Sequence, residues 1–85
     1  MGASSINCET IQQLVMAELP SGSQVSVDTD GYYFNVTAVS DSFEGQSPVK
    51  RQQMVYKGLQ AVIADGSLHA VNIKAYTPEQ YSQIN

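Results

Sequence analysis

An α+β domain with the element order α-β-β-α-β-α, its three strands in one mixed sheet covered by helices on one face, is the fold this sequence predicts. Three observations carry that reading. Two stretches of period-two apolar alternation flank a turn cluster, two helix starts are marked by Ser47-Pro48 and Thr77-Pro78, and an apolar stripe of helical period precedes the first strand.

The elements follow in chain order. Asn7 is the expected N-cap of a first helix over about Cys8 to Leu19, with Ile6 and Ile11 placed to close as a hydrophobic staple and Glu9 at the positive helix end. Ile11, Leu14, Val15 and Leu19 form its stripe, and Pro20-Ser21-Gly22 stops it. Val25 and Val27 alternate with Gln24, Ser26 and Asp28 in the first strand, and Asp28-Thr29-Asp30-Gly31 is a hairpin turn. The return arm, Tyr32 to Val39, sends Phe34, Val36 and Ala38 inward and Tyr33, Asn35, Thr37 and Val39 to the other face. Ser40 to Gln46 reads as a polar connector interrupted by Phe43. Ser47-Pro48 then caps a second helix, whose Val55, Leu59, Val62 and Ile63 face the sheet while Lys50 and Lys57 face away, and Asp65-Gly66 ends it. Val71, Ile73 and Ala75 mark the third strand, and Thr77-Pro78-Glu79-Gln80 is a capping box for a short closing helix. A hairpin followed by a strand-helix-strand crossover gives one antiparallel and one parallel pairing.

Size and charge narrow the function. The 85 residues allow one domain, over 1–85, with residues 1–6 expected to be flexible. So small a domain has few residues to spare for an enclosed active site, which favours a binding module over an enzyme. Four Lys and Arg against eight Asp and Glu give a net charge of -4, which excludes nucleic-acid binding by mass of charge. The single cysteine, Cys8, excludes an internal disulfide and points to a reducing compartment. No apolar run approaches a membrane span, and Met1 to Ser5 lack the features of a secretion signal, so a soluble protein of the cytoplasm or an organelle matrix is expected. The Met1-Gly2 start lacks the Ser or Thr that myristoylation wants where Ile6 stands, and the Asn35-Val36-Thr37 sequon falls inside a strand; both are set aside.

Few side chains offer chemistry. His69, at the entrance to the third strand, is the one imidazole, and no second His or paired Cys completes a closed metal site with it; on spacing alone a structural residue is the plainer reading, and a shared site, to which a partner brings thiolates, remains open to it. Cys8 at a helix N-terminus is read as a small packing residue rather than a reactive thiol. Lys50 and Arg51 begin the second helix, where two cations and free N–H groups suit a phosphate, although a solvated face is the plainer reading. Tyr33 points away from Phe34 and is left for a partner.

Phe43-Glu44-Gly45-Gln46-Ser47, Arg51-Gln52-Gln53, Val55-Tyr56 and above all Leu68-His69-Ala70-Val71-Asn72-Ile73-Lys74-Ala75-Tyr76-Thr77-Pro78-Glu79-Gln80-Tyr81 resemble the BolA family, closest to its IbaG-like branch, over about Val25 to Tyr81. The resemblance implies a class II KH-like fold and a non-enzymatic adaptor. Alone it would be a monomer; its partner would be a monothiol glutaredoxin of the CGFS type, with a two-iron two-sulfur cluster shared with that glutaredoxin and its glutathione, in cluster maturation, trafficking or iron regulation. It assigns the family's motif histidine, a cluster ligand, to His69. Family members usually carry a second ligand, Cys or His, in the loop between strands one and two; here Tyr33 stands at the aligned position, a harder and more basic donor. Tyr33, Asp30, Gly31 and Lys74 are the expected partner contacts. Some family members are described as DNA-binding regulators, and on that alternative Lys50 and Arg51 would hold phosphates.

Overall fold

The computed structural model describes residues 6–84 and has the expected order: α1 (Cys8–Met16), β1 (Gln24–Thr29), β2 (Tyr33–Val39), α2 (Pro48–Ala64), β3 (Ala70–Tyr76) and α3 (Pro78–Ile84). The flexibility expected of residues 1–5 lies outside the described residues, as does Gly2. No helix among the described residues is long and apolar enough to cross a membrane.

The Asn7 side chain accepts the Thr10 N–H at 2.8 Å and so satisfies one of the amides that begin α1. Ile6, expected to be flexible, instead packs against the core, because an apolar residue just ahead of the cap gains by closing over the first turn. The helix ends at Met16 rather than Leu19. The amides of Glu18 and Leu19 reach back to the carbonyls of Val15 and Met16 at 3.0 and 3.1 Å, three residues away rather than four, so the chain tightens out of the helix while Leu19 still packs inward.

In the sheet, ordered β1-β2-β3, β1 pairs antiparallel with β2 and β2 parallel with β3, with α2 as the crossover. The register sets Val25 beside Ala38 and Val27 beside Val36, then Val36 beside Ile73 and Ala38 beside Ala75. One face of the sheet is therefore apolar, and it joins Ile11 and Val15 of α1 and Val55 and Leu59 of α2 in a single buried core. The helices approach closely at Gly58, where a Cβ would stand 2.6 Å from the Leu14 carbonyl oxygen.

Three local expectations are corrected. Tyr32 stays outside β2, because its N–H is drawn to the Asp30 carboxylate. Val39, assigned to the open face, is buried. It lies beside a polar knot that closes this end of the sheet: the Ser40 N–H donates to the Tyr76 carbonyl at 3.0 Å, and the hydroxyls of Ser23 and Ser40 bond at 2.9 Å. Phe43, read as part of a polar connector, is wholly buried. Asp41–Phe43 form a single 3-10 turn capped by the Ser40 hydroxyl, and the turn delivers the ring to the core.

Each outer strand carries a side-chain donor on one carbonyl. Gln12 Nε2 donates to Val25 of β1 at 2.8 Å, and Arg51 Nη1 donates to Ala75 of β3 at 3.3 Å. These bonds occupy acceptors that another chain's strand would otherwise seek. At the end of β3 the predicted capping box is reciprocal: the Gln80 N–H donates to Thr77 Oγ1 at 3.2 Å and the Thr77 N–H to Gln80 Oε1 at 3.0 Å.

Candidate functional site

Two loops meet at one end of the β2–β3 pair. The first is the hairpin turn. Asp30 Oδ1 accepts the N–H groups of both Tyr32 and Tyr33 at 3.0 Å, and the Tyr32 amide, then the Tyr33 amide, hold its carboxyl below the ordinary value of 3.8. Thr29 Oγ1 accepts the Gly31 N–H at 3.0 Å and donates to the Tyr33 carbonyl at 2.9 Å. Gly31 has φ 103°, which a side chain would strain. The turn is thus built from its own side chains, and it presents Tyr32 and Tyr33 as an edge-to-face pair with centroids 5.0 Å apart. Tyr32 is 70% and Tyr33 43% exposed, so both rings offer apolar surface to a partner.

The second loop joins α2 to β3. Asp65 Oδ1 accepts the Ser67 N–H at 2.8 Å, and the Ser67 side chain, then its amide, lower the Asp65 pKa. Gly66, at φ 85°, reverses the chain, and the Leu68 N–H donates to the Val62 carbonyl at 3.0 Å while its side chain is buried. His69 follows, exposed, with Ala70 already paired to Tyr33 across the sheet. A buried leucine on one side and a strand on the other fix the backbone of His69 while leaving its imidazole in solvent. No hydrogen bond joins that ring to another described residue.

His69 is the one imidazole of the sequence. Among the described residues no three of His, Cys, Asp and Glu come together. A neutral imidazole is a borderline nitrogen donor, of the kind that suits iron as one ligand among several.

The other predicted residues divide. Asp30 and Gly31 shape the turn below Tyr33. Lys74 is exposed four strand positions beyond Ala70, about 13 Å along β3. There it lines a 220 Å³ cleft of the open sheet face with Asp28, Asn35 and Asn72. In that cleft a side-chain ladder crosses all three strands: Asn72 Nδ2 donates to Asn35 Oδ1 at 3.1 Å and Asn35 Nδ2 to Asp28 Oδ1 at 3.0 Å. Lys50 is exposed, with its N–H on Ser47 Oγ at 3.1 Å. Arg51 is not a second outward cation beside it: Nε donates to the Gln46 carbonyl at 3.0 Å, and Nη1 to the Ala75 carbonyl at 3.3 Å and Gln80 Oε1 at 2.8 Å. Cys8 is half-buried in the first turn of α1. What the sequence reading missed is Leu68 as the anchor of His69, for which the apolar residue directly ahead of the histidine was the available signal.

This mixed sheet, with its histidine at the mouth of β3, defines a BolA-type domain. The sequence model described as BolA-like protein matches residues 9–80, and the chain belongs to that family. It is 48% identical over 73 residues to the acid stress protein IbaG of Escherichia coli K12, covering 86% of each chain. The fold is similar to that of a BolA homologue from Coxiella burnetii, with a TM-score of 0.75 at 32% identity over 91% of this chain and 97% of that one. It is also similar to BolA1 from Mus musculus, with a TM-score of 0.71 at 27% identity over 99% of this chain and 76% of that one.

Proposed function

We propose that this BolA-like protein is a non-catalytic adaptor that binds a monothiol glutaredoxin of the CGFS type and gives His69 to a two-iron two-sulfur cluster shared with that partner and its glutathione. Its role on this reading lies in maturing or moving clusters, or in reporting iron status. The observation that carries the proposal is the exposed imidazole at the entrance of β3, its backbone fixed between Leu68 and Ala70 beside the Tyr33 end of β2. One neutral imidazole ligates one iron and needs thiolates from elsewhere, which is the complement a thiol-bearing partner brings. The ordered turn supplies the contact surface, with Tyr32 and Tyr33 as apolar area around the metal position.

The competing nucleic-acid reading has less support. Arg51 spends its guanidinium on Gln46, Ala75 and Gln80, and the chain carries a net charge of -4. One comparison separates the two: anaerobic gel filtration with a purified CGFS glutaredoxin, set against retention on heparin at physiological salt. We expect co-elution with the glutaredoxin and passage through heparin. Retention on heparin without co-elution would reverse the assignment.

A further inference from the structure

A groove runs along the outer edge of β3, on the side away from β2, between α2 and α3. Its larger part, 360 Å³, is lined by Arg51, Gln52, Ile73 and Gln83 among others, and its smaller part, 210 Å³, by Val49, Gln52, Tyr56, Val71 and Ile73. Gln52 and Ile73 line both, so the two parts adjoin at these residues.

The edge of β3 lines this groove through Val71, Ile73, Ala75 and Tyr76. The Tyr76 carbonyl turns toward β2, where it accepts the Ser40 N–H, whereas the Ala75 carbonyl turns outward, where Arg51 takes it. Backbone groups alternate in direction along a strand, so the N–H and C=O groups of Val71 and Ile73 also face outward, into the groove. An apolar small molecule leaves such groups unpaired; an extended polypeptide satisfies them as an added strand. Exposed Val49 and Tyr56 form the wall against which its side chains would lie.

The Arg51 end of the groove carries a charge requirement. The guanidinium is half-buried and locked by three neutral acceptors through Nε and Nη1; Nη2 makes no hydrogen bond to the described residues. Among the described residues no Asp or Glu lines either part of the groove, in a chain of net charge -4. A preorganised cation with no acidic partner among the described residues favours an anion, and a carboxylate matches the donors left on Nη2 and the neighbouring amides of Gln52 and Gln83. Because Arg51 already caps Ala75, an added strand stops there.

We infer that this groove binds the free C-terminal end of a partner polypeptide, its last residues running parallel to β3 along Val71 and Ile73 and its terminal carboxylate on Arg51. The His69 end of the molecule has no part in this, so the proposal stands or falls separately from cluster sharing.

The probe is a pool of acetylated random-sequence pentapeptides with free C-termini, followed on the 15N-labelled protein by NMR at millimolar concentration. The free-acid pool should shift the amides of Val71 and Ile73 and the Arg51 Nε–H. The same pool with amidated C-termini should bind about tenfold more weakly, as expected for loss of one charge-assisted hydrogen bond. Gln52→Glu, an exposed position that leaves the Arg51 bonds in place, should weaken free-acid binding at least as much with unchanged far-UV circular dichroism. Absence of shifts at Val71 and Ile73, or equal binding of the acid and amide pools, would overturn the inference. So would displacement of those same resonances by duplex DNA and not by peptide.

Discussion

His69 owes its exposure to its neighbours: Leu68 is pulled into the core on one side and Ala70 is paired to Tyr33 on the other, so the residue between them stays at the surface. The opposite loop is set just as locally, by Asp30. Its carboxyl is held below its ordinary value by the amides of Tyr32 and then Tyr33, so the charged form belongs to the folded turn. A depressed carboxyl adds order that is complete above its unfolded value and disappears as pH falls through the folded one. In an NMR titration the Tyr32 and Tyr33 amide protons should therefore move together, with a shared midpoint below 3.8. Asp30→Asn should abolish that titration. A midpoint at or above 3.8 would mean that the two amides do not hold the carboxylate. At this scale the sequence was legible where a residue's neighbours in the chain determine its state, as for Asn7, Asp30 and Gly31. It was not legible for Phe43 or Arg51. Phe43 is one aromatic among polar residues, with no periodicity to show that a 3-10 turn aims it inward. Arg51 is engaged by Gln46, Ala75 and Gln80, and the last two come together with it only in the fold.

Among the elements, α1 and α2 are joined at a point that helix propensity alone would misjudge. Alanine at position 58 would favour an isolated α2 by about 1 kcal/mol. In the folded molecule its Cβ would stand 2.6 Å from the Leu14 carbonyl oxygen, main chain that cannot swing aside. Gly58→Ala should therefore force the helices apart and lower stability, by about 1–2 kcal/mol net of the propensity gain. Urea unfolding should show this as a lower midpoint at unchanged slope. An equal or higher midpoint would mean that the helix pair slides without penalty. The starts of α1, α2 and α3 were legible because Asn7, Ser47-Pro48 and the Thr77–Gln80 box each satisfy end amides with nearby side chains. The end of α1 was not, since Leu19 keeps its place against the core after the chain has left helical geometry, and the apolar stripe does not register the change.

For the molecule as a whole, helices cover one sheet face, both outer strands have a capped carbonyl, and the exposed Tyr32, Tyr33 and His69 lie where the hairpin turn and the α2–β3 loop meet. Strand order and direction followed from the hairpin and the crossover, and the neighbourhood of Tyr33 and His69 follows from that topology. Neither the groove beside β3 nor the polar ladder of the open face has such a signature, because each is assembled from residues with separate local roles. The central claim is that this chain completes a shared cluster through one imidazole. Its most direct test is the visible absorption and circular dichroism spectrum of the protein coexpressed with a CGFS glutaredoxin and purified without air, alongside the His69→Ala variant. The account predicts a cluster-bearing heterodimer whose spectrum changes in His69→Ala, while the far-UV spectrum of the variant alone matches that of the wild type. Identical visible spectra in the two heterodimers, or no cluster in either, would contradict it.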